Sequence, residues 1–175
     1  ITALHMFATP PKPEGRPIEM LTLLDEVLRT VRQSRSKRER GAEITMGIKG
    51  DLPIVFCDPP MIARAVTELL LNAVQSNPSS AVHLSAGIGA DRASVVIEVV
   101  DDGDGMDGRT LTHAFDPFFS AKPAGRQVGM GLARAQQLIA AHGGRIDLRS
   151  NVGQGTVATL TLPIAPDLTG TIGTA

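Results

Sequence analysis

Glu68 and Asn72 are four residues apart in a stretch whose apolar positions, Ile62, Ala65, Val66, Leu69, Leu70 and Ala73, recur at helical spacing. On a helix that separation stacks a carboxylate and an amide on one face. Together they could hold a metal ion, or they could be two ordinary polar residues of an amphipathic helix. Asp101 ends an apolar run and leads into a segment with glycines at 103 and 105. A buried aspartate there can accept a hydrogen bond from an exocyclic amine, with Gly103 and Gly105 letting backbone approach a flat ligand; a strand-ending turn is the plain alternative. A calcium loop is excluded, because counting from Asp102 puts Met106 and His113 where acidic ligands belong. Gly129, Met130, Gly131 and Leu132 open a helical pattern. Backbone N–H groups at a helix start bind phosphate, though a tight connection accounts for the glycines equally well. This is no dinucleotide fingerprint, since its third glycine would fall at Arg134, and there is no Walker sequence. Residues 153–156, by themselves, read as a hairpin turn.

These residues need elements to position them. Apolar spacing predicts a helix from Pro17 to near Arg35, a strand over 43–48 and a short strand over 54–57. Asp58 as N-cap and the prolines after it start the helix carrying Glu68 and Asn72, which closes at 77–80. Strands are expected over 81–88 and 94–100, then a long irregular stretch to about Val128, a helix from Gly131 to His142, and a closing hairpin of 145–149 with 156–162. Residues 1–8 have the spacing of the last turns of a helix ended by prolines, and the tail after Pro163 is expected to be disordered.

At 175 residues the chain suits one domain with a sizeable core. A net charge of −1 gives no reason to expect nucleic acid or an acidic membrane, and the absence of Trp and Tyr argues against a stacking platform for single strands. No apolar run is long enough to span a membrane. The single cysteine, Cys57, cannot form an internal disulfide, so a reducing cytosolic setting with a packing role is expected.

In this order, the clusters resemble the ATP-binding catalytic domain of sensor histidine kinases, within the GHKL superfamily that includes gyrase and MutL ATPase domains. The N box is similar to residues 68–73, the first glycine box to 101–106, the F box to 115–119, the second glycine box to 129–132 followed by His142, Gly143 and Gly144, and the last to 153–156. The likeness covers residues 18–163. Residues 10–13 resemble the proline junction after the dimerisation helices in the nitrogen-regulator type, leaving 1–17 as helix end and linker and 164–175 as tail. The resemblance implies a two-layer α/β sandwich, a mixed β-sheet with three helices on one face, and ATP on the helical side under a lid of residues 106–128. It implies Asn72 as Mg²⁺ ligand and Glu68 as the residue assisting transfer. Asp101 would receive the adenine amino group directly, with Thr156 helping through water, and Gly105 would let the base lie against the backbone. Gly103 and Met106 belong to the same box. Gly129, Met130, Gly131 and Leu132 would bring main-chain N–H groups to the phosphates.

Three departures stand out. Gln127 occupies a position often glycine, Gln75 one often lysine, and Ser120 one often basic, which makes Lys122 and Arg126 candidates for the missing phosphate-facing charge, with solvated loop charges as the plain alternative. The implied partners are a dimerisation domain carrying the phosphoacceptor histidine, expected upstream of Ile1, and a response-regulator receiver domain. The whole protein would be a homodimer, cytoplasmic or anchored in the inner membrane, and this piece a monomer. His5, His83 and His113 are read as surface or packing residues. An ATPase or serine kinase of the same superfamily, and a non-catalytic nucleotide-sensing or docking domain, are the alternatives.

Overall fold

The computed structural model describes residues 12–34, 41–76, 81–119 and 129–164. In chain order these form β1 (Arg16–Glu19), α1 (Met20–Ser34), β2 (Glu43–Lys49), β3 (Ile54–Cys57), α2 (Pro59–Ser76), β4 (Ala81–Ile88), β5 (Ser94–Asp101), α3 (Gly108–Thr112), α4 (Gly131–Ala140), β6 (Arg145–Ser150) and β7 (Thr156–Pro163). Five strands make a mixed sheet in the order β2-β4-β5-β7-β6, with β2 and β4 parallel and the remaining neighbours antiparallel.

Period-2 alternation and register build the core face as transverse rows. Ile48, Ala86, Ile97, Leu160 and Ile146 stand opposite one another in turn across all five strands, and Met46, Leu84, Val99, Ala158 and Leu148 form the next row. Directly opposed residues share a face, so each row packs as a unit. Buried residues of α1 (Leu24, Val27, Leu28, Val31), α2 (Ile62, Val66, Leu69, Leu70) and α4 (Ala135, Leu138, Ile139) join one core cluster with these rows. The row after Val99 changes character. Ile44 and Val82 continue it, but Asp101, Thr156 and Ser150 complete it, so the apolar face ends in a polar edge.

Two elements differ from expectation. Pro17, Ile18 and Glu19 do not open a helix; they belong to β1, which pairs antiparallel with β3 in a separate two-stranded sheet. Proline suits either a helix start or a short edge strand, and only the distant partner decides. A fourth, five-residue helix, α3, lies within the expected irregular stretch, capped by Asp107 Oδ1 accepting from Thr110 N at 2.7 Å. Cys57 is buried, and burial pushes its thiol up to about 11, which keeps it protonated and inert as a packing residue. Residues 1–11 and 165–175, with the expected helix end and tail, lie outside the described residues. No helix among the described residues is long and apolar enough to cross a membrane.

Candidate functional site

Asp101 is 5% exposed at the last position of β5. Its Oδ1 accepts from Gly103 N at 3.0 Å and from the Ser76 hydroxyl at 2.9 Å. Burial raises its carboxyl above the ordinary value, and the N–H of Gly103 and the Ser76 hydroxyl oppose that rise. Opposite it across β5 and β7 stands Thr156, 6% exposed. A carboxylate and a hydroxyl therefore sit side by side on the helix-covered face.

The loop after Asp101 is clamped by the β6–β7 turn. Gly153 N donates to Asp104 O at 2.8 Å, and Met106 N donates to Ser150 Oγ at 2.9 Å. Gly105 has φ +67°, and a Cβ there would run into the carbonyl of Asn151. Glycine is thus required twice, for the left-handed backbone and for the close approach. Asp102 fastens the loop's other side, its Oδ1 accepting from Ala81 N at 2.7 Å. The Met106 N–H is spent on Ser150, so this residue contributes to the site through loop shape.

Ser76, which touches Asp101, is the last residue of α2. Asn72 and Glu68 precede it at intervals of four, so the three form one stripe along α2. At the far end of that stripe Glu68 meets the start of α4: a Cβ on Gly131 would lie 2.9 Å from Glu68 Oε2. Eight residues at about 1.5 Å rise separate Glu68 from Ser76, so the stripe runs about 12 Å from the Asp101 row to the α4 N-terminus. The two ends suit an amine-bearing ring and an anion respectively. The Glu68 side chain, 12% exposed, has Oε1 2.7 Å from Arg64 Nη2 and 3.1 Å from Arg134 Nη1. Oε2 is left as the oxygen facing Gly131.

At the start of α4, Met130 is buried and Leu132 packs against the core, so these two would offer a ligand main-chain N–H groups. Gly129 has φ +67°, and Phe118 N donates to its carbonyl at 3.0 Å, which joins the F-box residue to the start of α4. The 120–128 segment contains Ser120, Lys122, Arg126 and Gln127 and lies outside the described residues. Phe115 packs against the core, and the His113 and Phe119 rings meet at a 42° tilt with centroids 5.5 Å apart. Among the described residues no three His, Cys, Asp or Glu side chains cluster as a metal site. A Mg²⁺ at Asn72 would then take one protein amide oxygen, with phosphate oxygens and water completing its shell, the usual manner for this ion.

Two residues escaped the reading of the sequence. Arg134 looked like an interruption of a glycine pattern, yet it reaches across from α4 to Glu68. Ser150, at the end of a strand, bonds to Met106, Gly155 and Thr156. Its only sequence signal was a hydroxyl six positions before Thr156.

The mixed sheet with its helices, the buried polar row at Asp101 and the glycine-clamped loop define a nucleotide-binding α/β sandwich. The chain belongs to the histidine kinase-, DNA gyrase B- and HSP90-like ATPase family, whose model matches residues 57–166. Sensor histidine kinase ZraS of Escherichia coli (strain K12) is 31% identical over 147 residues, which cover 84% of this chain and 30% of that protein. Full-length ShkA in complex with AMPPNP is similar with a TM-score of 0.77 and 25% identity, over 93% of this chain and 34% of that one. The mycobacterial sensor histidine kinase MprB is similar with a TM-score of 0.70 and 27% identity, over 87% of this chain and 99% of that one. The chain is a catalytic ATPase domain of the sensor histidine kinase kind, and it spans 30% of the length of the curated relative ZraS.

Proposed function

We propose that the chain binds Mg-ATP with the adenine amine at Asp101 and the phosphates between Asn72 and the start of α4. The whole protein then transfers the γ-phosphate to a histidine of its own dimerisation domain, from which a response-regulator receiver domain takes it. The observation that carries this reading is the α2 stripe, which joins a buried carboxylate at Ser76 to a helix N-terminus at Gly131 by way of Asn72. A bound Mg²⁺ would neutralise phosphate charge. The residues of the chain supply position: Asp101 and the clamped loop hold the base, and the N–H groups from Gly129 to Leu132 hold the phosphates. His83, His113 and His142 are engaged with Thr45, Asp116 and Asp58 respectively, which supports an acceptor histidine elsewhere in the whole protein.

Calorimetry with Mg-ATP tests the binding half. Asp101→Asn should weaken binding at least tenfold, the loss of about one charge-assisted hydrogen bond, and equal affinity would overturn the adenine assignment. For transfer, the chain joined to a dimerisation domain should form acid-labile, base-stable phosphate on histidine, abolished by Asn72→Ala. Phosphate on serine would replace this reading with that of a serine kinase.

A further inference from the structure

Ser150 Oγ has three neighbours: Gly155 O at 2.8 Å, Met106 N at 2.9 Å and Thr156 Oγ1 at 2.9 Å. A hydroxyl has one proton and two acceptor positions. A carbonyl oxygen can only accept, so the Ser150 proton goes to Gly155. A backbone N–H can only donate, so Met106 takes one acceptor position. The remaining position is open only to a donor, and Thr156 must supply it. The Thr156 proton is therefore directed at Ser150, and its oxygen, on the residue paired with Asp101, has only lone pairs left to offer a ligand.

We infer that Ser150 is a positioning residue for base selection: by holding the Thr156 hydroxyl as an acceptor beside the Asp101 carboxylate, it makes the edge of the site an all-acceptor surface that selects a purine with an exocyclic amine. Such an amine has two N–H groups and can satisfy both neighbours. A purine with a carbonyl oxygen at that place sets that oxygen against the two acceptors, and its ring N1–H can serve only one of them, so a buried group is left unpaired, which costs more than a missing contact gains. Without Ser150 the Thr156 hydroxyl turns freely and can donate to such an oxygen. Because the same serine also ties Met106 and Gly155 together, its loss loosens the loop for any nucleotide, and only the relative preference reports the hydrogen-bond polarity. The inference rests on the adenine end of the site proposed above.

The test is the ratio of ITP to ATP dissociation constants, measured by calorimetry with Mg²⁺ on the whole chain. Wild-type protein should bind ATP; if it binds neither nucleotide, the proposed function fails, and with it the premise of the inference. Ser150→Ala should lower the ITP-to-ATP ratio about tenfold, the equivalent of one hydrogen bond. A parallel loss of affinity for both nucleotides, with the ratio unchanged, would reduce Ser150 to a structural role and overturn the inference. Thr156→Val removes the hydroxyl itself and serves if Ser150→Ala does not fold. It should lower the ratio too, and a ratio as high as wild type would overturn the inference. In the Thr156→Val background, adding Ser150→Ala should leave the ratio where it is; a further drop would mean that the serine acts by another route.

Discussion

The Ser76 hydroxyl lies 2.9 Å from Asp101 Oδ1, and this contact fastens the C-terminal end of α2 to the polar edge of the sheet. The same hydroxyl is 2.8 Å from Ala73 O, so one proton serves both the helix end and the buried carboxylate. A Cβ on Gly103 would strike Ser76, so the loop passes over this contact with no room to spare. The proposed nucleotide end of the domain is thus built where a helix terminus, a strand terminus and a glycine meet.

Asp101 should cost the empty domain stability. Its carboxyl is raised by burial above the ordinary value of 3.8. Between that value and the raised one, the folded chain keeps a proton that the unfolded chain has lost. Stability from this group is therefore full below 3.8, falls as pH rises through the window and is gone above it. Thermal unfolding of nucleotide-free Asp101→Asn should lack this downward slope and give a higher Tm than wild type at neutral pH. Identical pH profiles for the two proteins would contradict the assignment.

Gly105→Ala should disrupt both fold and site. Forcing a side chain into φ +67° and against the Asn151 carbonyl should cost about 2–4 kcal/mol. Gly108, in the same segment, has open space at its Cβ position, so Gly108→Ala at the start of α3 should be neutral or slightly stabilising. Urea unfolding of both variants checks this, and comparable losses would show that the clamp is not the cause.

The two arginines on Glu68 should contribute unequally. Arg134 is 23% exposed and bridges two helices, whereas Arg64 is 56% exposed and lies one turn from Glu68 on the same helix. Arg134→Ala should cost about 1–2 kcal/mol, because it strips the interhelical partner from a largely buried carboxylate. Arg64→Ala should cost no more than about 0.5 kcal/mol. Chemical denaturation of each variant measures the difference, and equal losses would rule out Arg134 as the interlock.

His142 should matter for stability and not for nucleotide. Its Nε2 accepts from Asp58 N at 3.1 Å and its Nδ1–H donates to Leu138 O at 2.8 Å, pinning the end of α4 to the start of α2. His142→Ala leaves the Asp58 N–H without that partner, a loss of about 1–3 kcal/mol. Asp58 is fourteen residues from Asn72, about 21 Å along the helix. Calorimetry should therefore find ATP affinity unchanged at a temperature where the variant is folded, and a tenfold loss would place His142 in the site.

Much of this molecule was legible in its amino-acid order because the relevant signals are local. Alternation marked residues 43–48 as a strand, and Asp58 with its prolines marked the start of α2; both stand where expected, since side-chain period and capping act within a few residues. The ordered motifs named Asp101, Gly105 and the start of α4 for the site proposed above, and α2 touches the first through Ser76 and the last through Glu68. Tertiary structure decided what depends on distant partners. Pro17 and Ile18 became strand only because β3 lies beside them, and Arg134 became the partner of Glu68 only because α2 and α4 pack together. Ser150 was silent in the sequence for the same reason: the meaning of its hydroxyl is set by a register that puts it beside Thr156 and below Met106. Periodicity tells which face a residue occupies, whereas the neighbours on that face come from long-range pairing, and a hydrogen bond acquires direction only when all of its neighbours are in place.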